Sequence, residues 1–405
     1  MRPLSILFFL PLLFCCDNNS EQYTSVVKPG AQVLIEIHLS ELEGRKVGLV
    51  MNPTARIQNT HVLDTLLALE VNITALFAPE HGFRGDYADG EVIEGGIDQA
   101  SGLPVFSLYG SNKKPTWEML EDIDVLLFDM QDVGVRFYTY NSTMKNIIEA
   151  AAAFDKEVWI LDRPNPAGGE YVSGWVLEDE YKSFVGSYPI PVAHGLTLGE
   201  LALMAIGEGW LDTEHEPRVK IIEMEGWQRN MQWPETGLNW TPPSPNLPTF
   251  ENAYVYLGTC FFEGVNISEG RGTDSPFLTI GYPELELELD EIRRMETEFG
   301  VEIDTTSFVP KTIPGKAYNP KFEGEKINGI SIYITPGFND PVTFGLELVK
   351  LFRSTMLEQD KEFAHRRHLL LLSGNDEILN WEEDYDWESE VEDFRLQRKK
   401  YLLYD

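Results

Sequence analysis

The sequence predicts an α/β protein, with a Rossmann-like doubly wound parallel sheet followed by a second, smaller α+β domain. In the first half, short runs that are apolar throughout alternate with helix-like stretches. This alternation is typical of a parallel sheet covered by helices on both faces. The 405 residues exceed one ordinary core and favour two domains. Prolines crowd residues 234–248, where we place the junction.

Six apolar runs predict the strands of the first domain. They are residues 47–51, 73–78, 105–109, 125–128, 158–161 and 219–222. Between them, residues 61–70, 142–154 and 198–208 have the pattern of helices. In the second half we predict a charged helix at 289–299, a strand at 329–335, a helix at 343–355 and an acidic helical tail from residue 380. The type of the apolar stretch 254–262 stays open.

The N-terminus predicts export. An apolar run at residues 4–14 follows Arg2 and is shorter than the roughly 20 residues of a spanning helix. It ends in a box resembling that of bacterial lipoproteins, so we expect residues 1–16 to be a signal peptide and Cys16 to be lipidated. Simple secretion with cleavage nearby is the alternative. We expect a tether at 17–30, a Rossmann-like domain at 31–245, an auxiliary domain at 246–405, and a place in a bacterial cell envelope.

Charge and motifs exclude several classes of partner. The 32 basic and 66 acidic residues give a net charge of −34, which repels nucleic acid. The chain lacks G-x-G-x-x-G spacing, a P-loop lysine and a G-x-S-x-G elbow, so we expect neither a nucleotide nor a serine nucleophile. The seven histidines form no zinc-type constellation, and His365 and His368 are expected at the surface. We therefore expect no metal and no cofactor.

Polar, Gly- or Pro-punctuated loops follow four of the predicted strands. They begin at Asn52, Pro79, Asp129 and Asp162. Because ligands of open α/β sheets bind outside the carboxyl ends of the strands, these loops are expected to converge on one site. The alternative is that each is an ordinary connection, but this does not account for the charged pairs beside buried strands.

Glu80 is the strongest candidate for a catalytic residue. A carboxyl group just past an apolar strand is partly desolvated, which favours its protonated form and suits a general acid. For His81 three roles stay open, namely orienting that carboxyl group, binding substrate or ligating a metal, and the histidine pattern disfavours the metal. The surplus of carboxylates among aromatic, asparagine and arginine side chains suits a sugar ligand.

Several longer motifs carry a resemblance to a known family. The runs NPTA, APEHGFRG, DMQDVGVRFYTY, LDRPNPAGG, HGLTLGELA, SPNLPT, FEGVNISEGRGT and YLLY look like the exo-β-N-acetylmuramidase (NamZ) family from about residue 45 onward. The resemblance implies release of terminal N-acetylmuramic acid from the non-reducing ends of peptidoglycan fragments. It also implies a cleft between the two domains and a catalytic glutamate that matches Glu80.

The second catalytic group stays open at this point. Most glycosidases use two carboxyl groups, about 5–5.5 Å apart for retention or about 6.5–9.5 Å apart for inversion. Five carboxylates qualify by position: Glu269, Asp132, Asp129, Glu91 and Glu263. Assistance by the 2-acetamido group of the substrate is a further possibility.

Substrate-binding residues are expected in the same motifs. Muramic acid carries a lactyl carboxylate, and an arginine fork binds a carboxylate bidentately. The candidates for this role are Arg271, Arg84, Arg136 and Arg163. The alternative is that these arginines pair with neighbouring carboxylates and hold the loops. The other expected contacts are Asn52, Asp129, Tyr138, Asn165, His194, Asn246 and Asn266.

Two other functions compete with a muramidase. A non-catalytic sugar-binding lipoprotein that delivers wall fragments for uptake would share the architecture and the anchor, but it would not need a desolvated glutamate. A deacetylase or amidase would act on the same polymer, and the lack of a metal constellation counts against it.

Overall fold

The computed structural model describes residues 27–80, 82–84, 95–110 and 112–405, and within them the predicted fold class is confirmed. The central sheet has seven strands in this part of the chain. They are β1 (Val47–Met51), β2 (Ile73–Ala78), β3 (Gly96–Ile97), β4 (Pro104–Ser107), β5 (Val125–Asp129), β6 (Glu157–Leu161) and β7 (Arg218–Ile222). A small hairpin of Arg56–Ile57 and Thr60–His61 follows β1.

The strand order of the central sheet is β3-β4-β2-β1-β5-β6-β7. All neighbours run parallel except β3 and β4, which are antiparallel. The carboxyl ends of β2, β1, β5 and β6 therefore lie at the same edge. The strand order reverses between β1 and β5. From β1 the chain first adds β2, β3 and β4 on one side of β1, and it then returns to add β5, β6 and β7 on the other side.

Successive residues of the central strands enter different cores. In β1, Leu49 packs on one face of the sheet and Val50 on the other. The core that contains Val50 continues into the C-terminal half, where it includes Phe344 and Phe352. Strands buried on both faces are uniformly apolar, which is why the sequence predicts β1 and β2 with their observed bounds.

The helices of the first half cover the sheet. They are α1 (Val62–Ala68), α2 (Tyr140–Ala153) and α3 (Leu198–Gly207), with short turns at Gly30–Val33 and Trp117–Leu120. A capping box begins α3, since Thr197 accepts from the Glu200 amide and Glu200 accepts from the Thr197 amide. Asp162 accepts bonds from the Thr197 hydroxyl at 2.6 Å and from the Gly199 amide at 2.9 Å. The Asp162 carboxylate therefore ties the end of β6 to the start of α3.

The C-terminal half is α+β. Its antiparallel sheet has the order β8-β10-β9. The strands are β8 (Thr279–Pro283), β9 (Val301–Phe308) and β10 (Ile327–Ile334), and the helices are α4 (Phe250–Thr259), α5 (Leu289–Phe299), α6 (Pro341–Glu358), α7 (Arg367–Ser373) and α8 (Glu388–Arg398). The stretch left open at 254–262 is the end of α4 and a 3₁₀ turn, and it contains the buried Cys260.

Three elements of this half differ from the sequence prediction. Strands β8 and β9 were not predicted. Strand β9 buries little beyond Val301 and Ile303 and otherwise carries polar residues, and β8 is five residues long and contains Gly281 and Pro283, which weaken a strand pattern. The acidic tail becomes α-helical at Glu388 rather than at residue 380. No helix in the described residues has the length and apolar character needed to cross a membrane.

Candidate active site

The loops that follow β1, β2, β5 and β6 meet at one edge of the sheet. The Gln131 amide donates to the Thr54 hydroxyl at 2.9 Å, and the Gln131 side chain donates to the Pro164 carbonyl at 2.7 Å. The Thr139 hydroxyl donates to Glu80 Oε2 at 3.1 Å. These bonds link all four loops at one edge of the sheet, but the loops line two cavities and not one site. Residues of the loops after β2 and β5 line one cavity, and residues of the loops after β1, β5 and β6 line the other.

Glu80 lines a cavity of about 230 Å³ between the two halves of the chain. The loop after β5 and the start of α2 contribute Tyr138, Thr139 and Tyr140. The C-terminal half contributes charged and aromatic side chains, namely Glu263, Arg271, Phe277, His368 and Tyr256. The cavity is therefore assembled from both halves, and Glu80 and Glu263 are its two carboxylates among the described residues.

The Glu80 carboxyl group is half-buried. Its Oε2 atom accepts the bond from Thr139, and its Oε1 atom has no partner within the described part of the chain. Burial lowers the pKa of the Arg271 guanidinium to about 10, and the nearby negative charge of Glu80 opposes that shift. Glu80 thus combines partial burial with an oxygen atom that is available to a ligand.

Arg271 lines the same cavity and comes from the C-terminal half of the chain. Its Nη2 atom donates to Glu263 Oε1 at 2.6 Å, and its guanidinium lies over the Phe277 ring at 5.1 Å. Burial raises the pKa of Glu263, although His368 Nε2 lies 3.6 Å from Glu263 Oε2. His368, which was expected at the surface, is thus half-buried in the cavity wall, whereas His365 is exposed.

A buried polar layer lies behind Tyr138. Burial raises the pKa of Asp132 to about 7 and lowers the pKa of His194 to about 3. His194 Nε2 and Asp132 Oδ2 are 4.0 Å apart, and the Gly134 amide donates to Asp132 Oδ2 at 2.8 Å. Burial also raises the pKa of Tyr138, with Tyr140 and Asp132 adding to the effect. Asp132 and His194 do not line the cavity, whereas Tyr138 does.

Two further candidate carboxylates are held in ion pairs. Asp129, buried at the end of β5, pairs with Arg163 through both of its oxygen atoms. Glu269 is buried and lies 2.8 Å from Lys321 Nζ and 3.7 Å from Arg271 Nε. Neither carboxylate lines the Glu80 cavity.

Arg136 lies in the core, which corrects the expectation that it contacts substrate. It is 1% exposed, and its two terminal nitrogens donate to four backbone carbonyls. Those of Trp175 and Ile190 belong to the first half, and those of Leu372 and Ser373 to the second. Arg136 therefore bridges the halves instead of lining the cavity.

Two other arginines lie outside the Glu80 cavity. Arg84 binds both oxygen atoms of Asp98 at 2.6 and 2.9 Å, and this pairing lowers the pKa of Asp98. Arg163 lines a different cavity. Of the four arginines expected at a carboxylate, Arg271 is the one beside Glu80.

The asparagine candidates mainly bond to the backbone. The side chains of Asn165, Asn246 and Asn266 donate to the carbonyls of Leu196, Lys316 and Glu362. Asn52 accepts from the Thr54 amide at 3.0 Å. None of the four lines the Glu80 cavity, so their placement corrects the expectation of substrate contact there. His81, Glu91 and Cys16 lie outside the described residues.

Several residues of the cavity wall were not singled out from the sequence. Thr139 and Tyr140 belong to the motif that supplied Tyr138, and the three consecutive hydroxyl-bearing residues of FYTY were the available signal. Tyr256, Phe277 and His368 gave no such signal. In the described residues, no group of three or more His, Cys, Asp or Glu side chains is arranged to hold a metal ion.

Comparisons with known proteins agree with this architecture. Residues 47–251 match the model of the N-terminal domain of the exo-β-N-acetylmuramidase NamZ, and residues 254–404 match that of its C-terminal domain. The chain is 39% identical over 392 residues to the peptidoglycan β-N-acetylmuramidase NamZ of Bacillus subtilis, covering 93% of this chain and 91% of that protein.

Two crystal structures of DUF1343 family proteins from Bacteroides fragilis share the fold. They are 35% and 32% identical to this chain, with TM-scores of 0.80 and 0.76. Each comparison covers 94% of this chain and 99% of the other. The chain therefore belongs to the exo-β-N-acetylmuramidase NamZ family and is a glycoside hydrolase.

Proposed function

We propose that the protein releases terminal N-acetylmuramic acid from the non-reducing ends of peptidoglycan fragments. The Bacillus subtilis relative is named as a peptidoglycan β-N-acetylmuramidase. The half-buried Glu80 in a cavity between the two halves is the observation that carries the proposal.

Glu80 is the proposed general acid. Its Oε1 atom is available to the glycosidic oxygen, while Thr139 fixes the other carboxyl oxygen. In the reaction, Glu80 gives its proton to the leaving oxygen as the bond to the anomeric carbon breaks. This proton transfer avoids the release of an alkoxide, and such catalysis typically contributes about 10²–10⁴-fold.

Glu263 is the proposed second carboxylate. In the part of the chain that the structure describes, it is the other carboxylate lining the same cavity, and Arg271 holds one of its oxygen atoms. Glu263 would stabilise the positive charge that develops at the anomeric carbon or orient the group that attacks there. Asp132, Asp129 and Glu269 are less suited, because none of them lines the cavity.

The test is hydrolysis of a chromogenic N-acetylmuramic acid β-glycoside and of an unactivated disaccharide. We expect Glu80→Gln to fold normally and to lose about 10²–10⁴-fold in kcat on the disaccharide, with a smaller loss on the activated substrate. Glu251→Gln, an exposed change at the start of α4, is the matched control. More than a tenth of wild-type kcat on the disaccharide would rule out Glu80 as the acid.

We also propose that Cys16 carries a lipid anchor that holds the protein in a bacterial cell envelope. The support is the lipoprotein-like box at the end of the apolar run. Cys16→Ala is expected to move the protein from the membrane fraction to the soluble fraction or to leave the signal peptide uncleaved. Unchanged fractionation and processing would remove the anchor from the proposal.

A further inference from the structure

A second cavity, of about 320 Å³, opens at the same edge of the central sheet. Thr54, Gln131 and Arg163 line it, and they follow β1, β5 and β6 respectively. The cavity therefore lies where the strand order reverses between β1 and β5. In open α/β sheets this is the usual place for a ligand. The volume is at the small end of the range for small-molecule sites, about 300–1,000 Å³.

This second cavity is distinct from the cavity that contains Glu80. The two share no lining residue. Tyr140 lines the Glu80 cavity, whereas Thr54, whose amide donates to Asn52 at 3.0 Å, lines the second cavity. A ligand in the second cavity would therefore not occupy the proposed catalytic position.

The charged side chains that line the second cavity are cations. Among the described residues, its lining contains Lys28, Arg56 and Arg163 and no carboxylate. The other polar lining groups are amides and hydroxyls, namely Gln32, Thr54, Gln58, Gln131, Asn239 and Thr241. In a chain of net charge −34, a cationic lining without an acidic side chain favours an anionic ligand.

Two lining groups have hydrogen-bonding capacity left. Gln131 is 2% exposed, and its amide nitrogen donates to the carbonyls of Asp132 and Pro164, but its Oε1 atom has no partner in the described residues. Buried polar atoms are nearly always paired, so this oxygen indicates a missing donor. Arg56 donates through Nε to Pro53 and through Nη1 to Asn59, which leaves Nη2 for a ligand.

The other two cations are already occupied. Arg163 is paired with the buried Asp129, and Lys28 is paired with Glu36 at 2.7 Å and Glu225 at 3.1 Å. A single available guanidinium matches a single carboxylate better than a multiply charged phosphate. The Trp233 ring supplies an apolar part of the wall.

We propose that this cavity is a second binding site for a small carboxylate that also carries a hydroxyl or amide donor, such as a sugar acid or a short acidic peptide. Arg56 binds the carboxylate, and Gln131 Oε1 accepts a hydrogen bond from a hydroxyl or amide group of the ligand. The site is independent of the proposed catalysis by Glu80, because none of its lining residues contributes to the Glu80 cavity.

The test is calorimetric titration of the full-length protein with free N-acetylmuramic acid, the dipeptide L-alanyl-D-glutamate, N-acetylglucosamine and inorganic phosphate. We expect two binding events for at least one of the two carboxylates. Arg56→Gln is expected to weaken one event by about tenfold or more, which is about 1.4 kcal/mol. Arg56→Lys, which keeps the charge but not the fork, is expected to have an intermediate effect. Hydrolysis of the chromogenic glycoside is expected to stay within about twofold of wild type.

Arg218→Gln is the matched control, because Arg218 is an exposed arginine at the start of β7, on the opposite edge of the sheet. Preference for the sugar or for the dipeptide would identify the source of the carboxylate, and either supports the site. Identical titrations for wild type and Arg56→Gln, or phosphate binding as tight as that of both carboxylates, would overturn it. Loss of hydrolysis in Arg56→Gln would show that the cavities are not independent. An inactive wild type that still shows two binding events would contradict only the proposed function.

Discussion

Arg271 is the only lysine or arginine that lines the Glu80 cavity in the described part of the chain. It already donates to Glu263, so a substrate carboxylate would have to share or replace that partner. A planar fork can contact two acceptors at once, which an ammonium group cannot do with the same geometry. Arg271 is therefore the residue at which recognition of the lactyl carboxylate can be tested.

We predict that Arg271→Lys raises KM for an N-acetylmuramic acid glycoside by about tenfold, the equivalent of one lost charge-assisted bond. The corresponding N-acetylglucosamine glycoside, which lacks the lactyl group, is expected to change little. Arg84→Lys is the matched control, because Arg84 pairs with Asp98 outside the cavity. Equal losses on both sugars would make Arg271 a structural residue.

A second prediction concerns Asp132 and the pH dependence of the free energy of unfolding. Because burial raises its pKa from 3.8 to about 7, the folded protein keeps this proton at pH values where the unfolded chain has lost it. The stability contributed by the protonated form is complete below about pH 4 and is lost as pH rises through about 7. Asp132→Asn should remove this loss and gain a few kcal/mol relative to wild type at pH 8, with less gain at pH 5.

Urea unfolding at several pH values between 5 and 8 would check the Asp132 prediction. Asp304→Asn, an exposed change on β9, is the control for the loss of one carboxylate. Parallel stability curves for wild type and Asp132→Asn would show that Asp132 is ionised in the folded state.

At the scale of elements, the packing of α4 against α6 depends on two glycines. A Cβ atom at Gly258 would lie 1.9 Å from the Pro341 carbonyl oxygen, and one at Gly345 would lie 2.2 Å from the Gly258 carbonyl carbon. Both clashes involve backbone atoms, which side-chain rotation cannot relieve. The close approach brings the 3₁₀ turn after α4, which contains Glu263, against the rest of the C-terminal half.

We predict that Gly258→Ala lowers the free energy of unfolding by about 1–3 kcal/mol or more, because the helices must separate. Urea denaturation would measure this loss. Gly96→Ala is the control, since no atom lies within 4 Å of a Cβ atom built at Gly96. Equal stability of Gly258→Ala and wild type would mean that α4 and α6 can shift without cost.

Sequence patterns predicted the central elements better than the peripheral ones. In β1 and β5 every residue is buried. A strand that is buried on both faces has a nearly continuous apolar sequence, so the sequence indicates it directly. In β9 the alternation of buried apolar and exposed polar residues is limited to the region of Val301 and Ile303. The rest of the strand is mostly polar and gives no strand pattern. Antiparallel pairing with β10 holds this segment as a strand although its own sequence does not indicate one.

For the whole molecule, the net charge of −34 opposes the approach of an anionic substrate. We predict that kcat/KM for an N-acetylmuramic acid glycoside rises severalfold between about 0.02 M and 0.3 M NaCl, because salt screens long-range repulsion. The uncharged N-acetylglucosamine glycoside should show no such rise and serves as the control. A fall in kcat/KM with salt would instead indicate local steering by cations.

The amino-acid sequence alone predicts the parallel sheet, the edge at which four polar loops meet and Glu80 as the candidate acid. These predictions depend on local apolar runs and on the rule that loops at the carboxyl ends of parallel strands share an edge. Which polar residues meet at that edge follows from the three-dimensional arrangement. Arg136 and Tyr138 lie two positions apart in one motif, yet Arg136 binds carbonyls in the core and Tyr138 lines the cavity. Arg271 reaches Glu80 from the other half of the chain. A buried polar side chain in a loop turns toward the groups that can bond to it, because burial without such bonds costs free energy. These groups are distant in the sequence, so the sequence pattern does not show them.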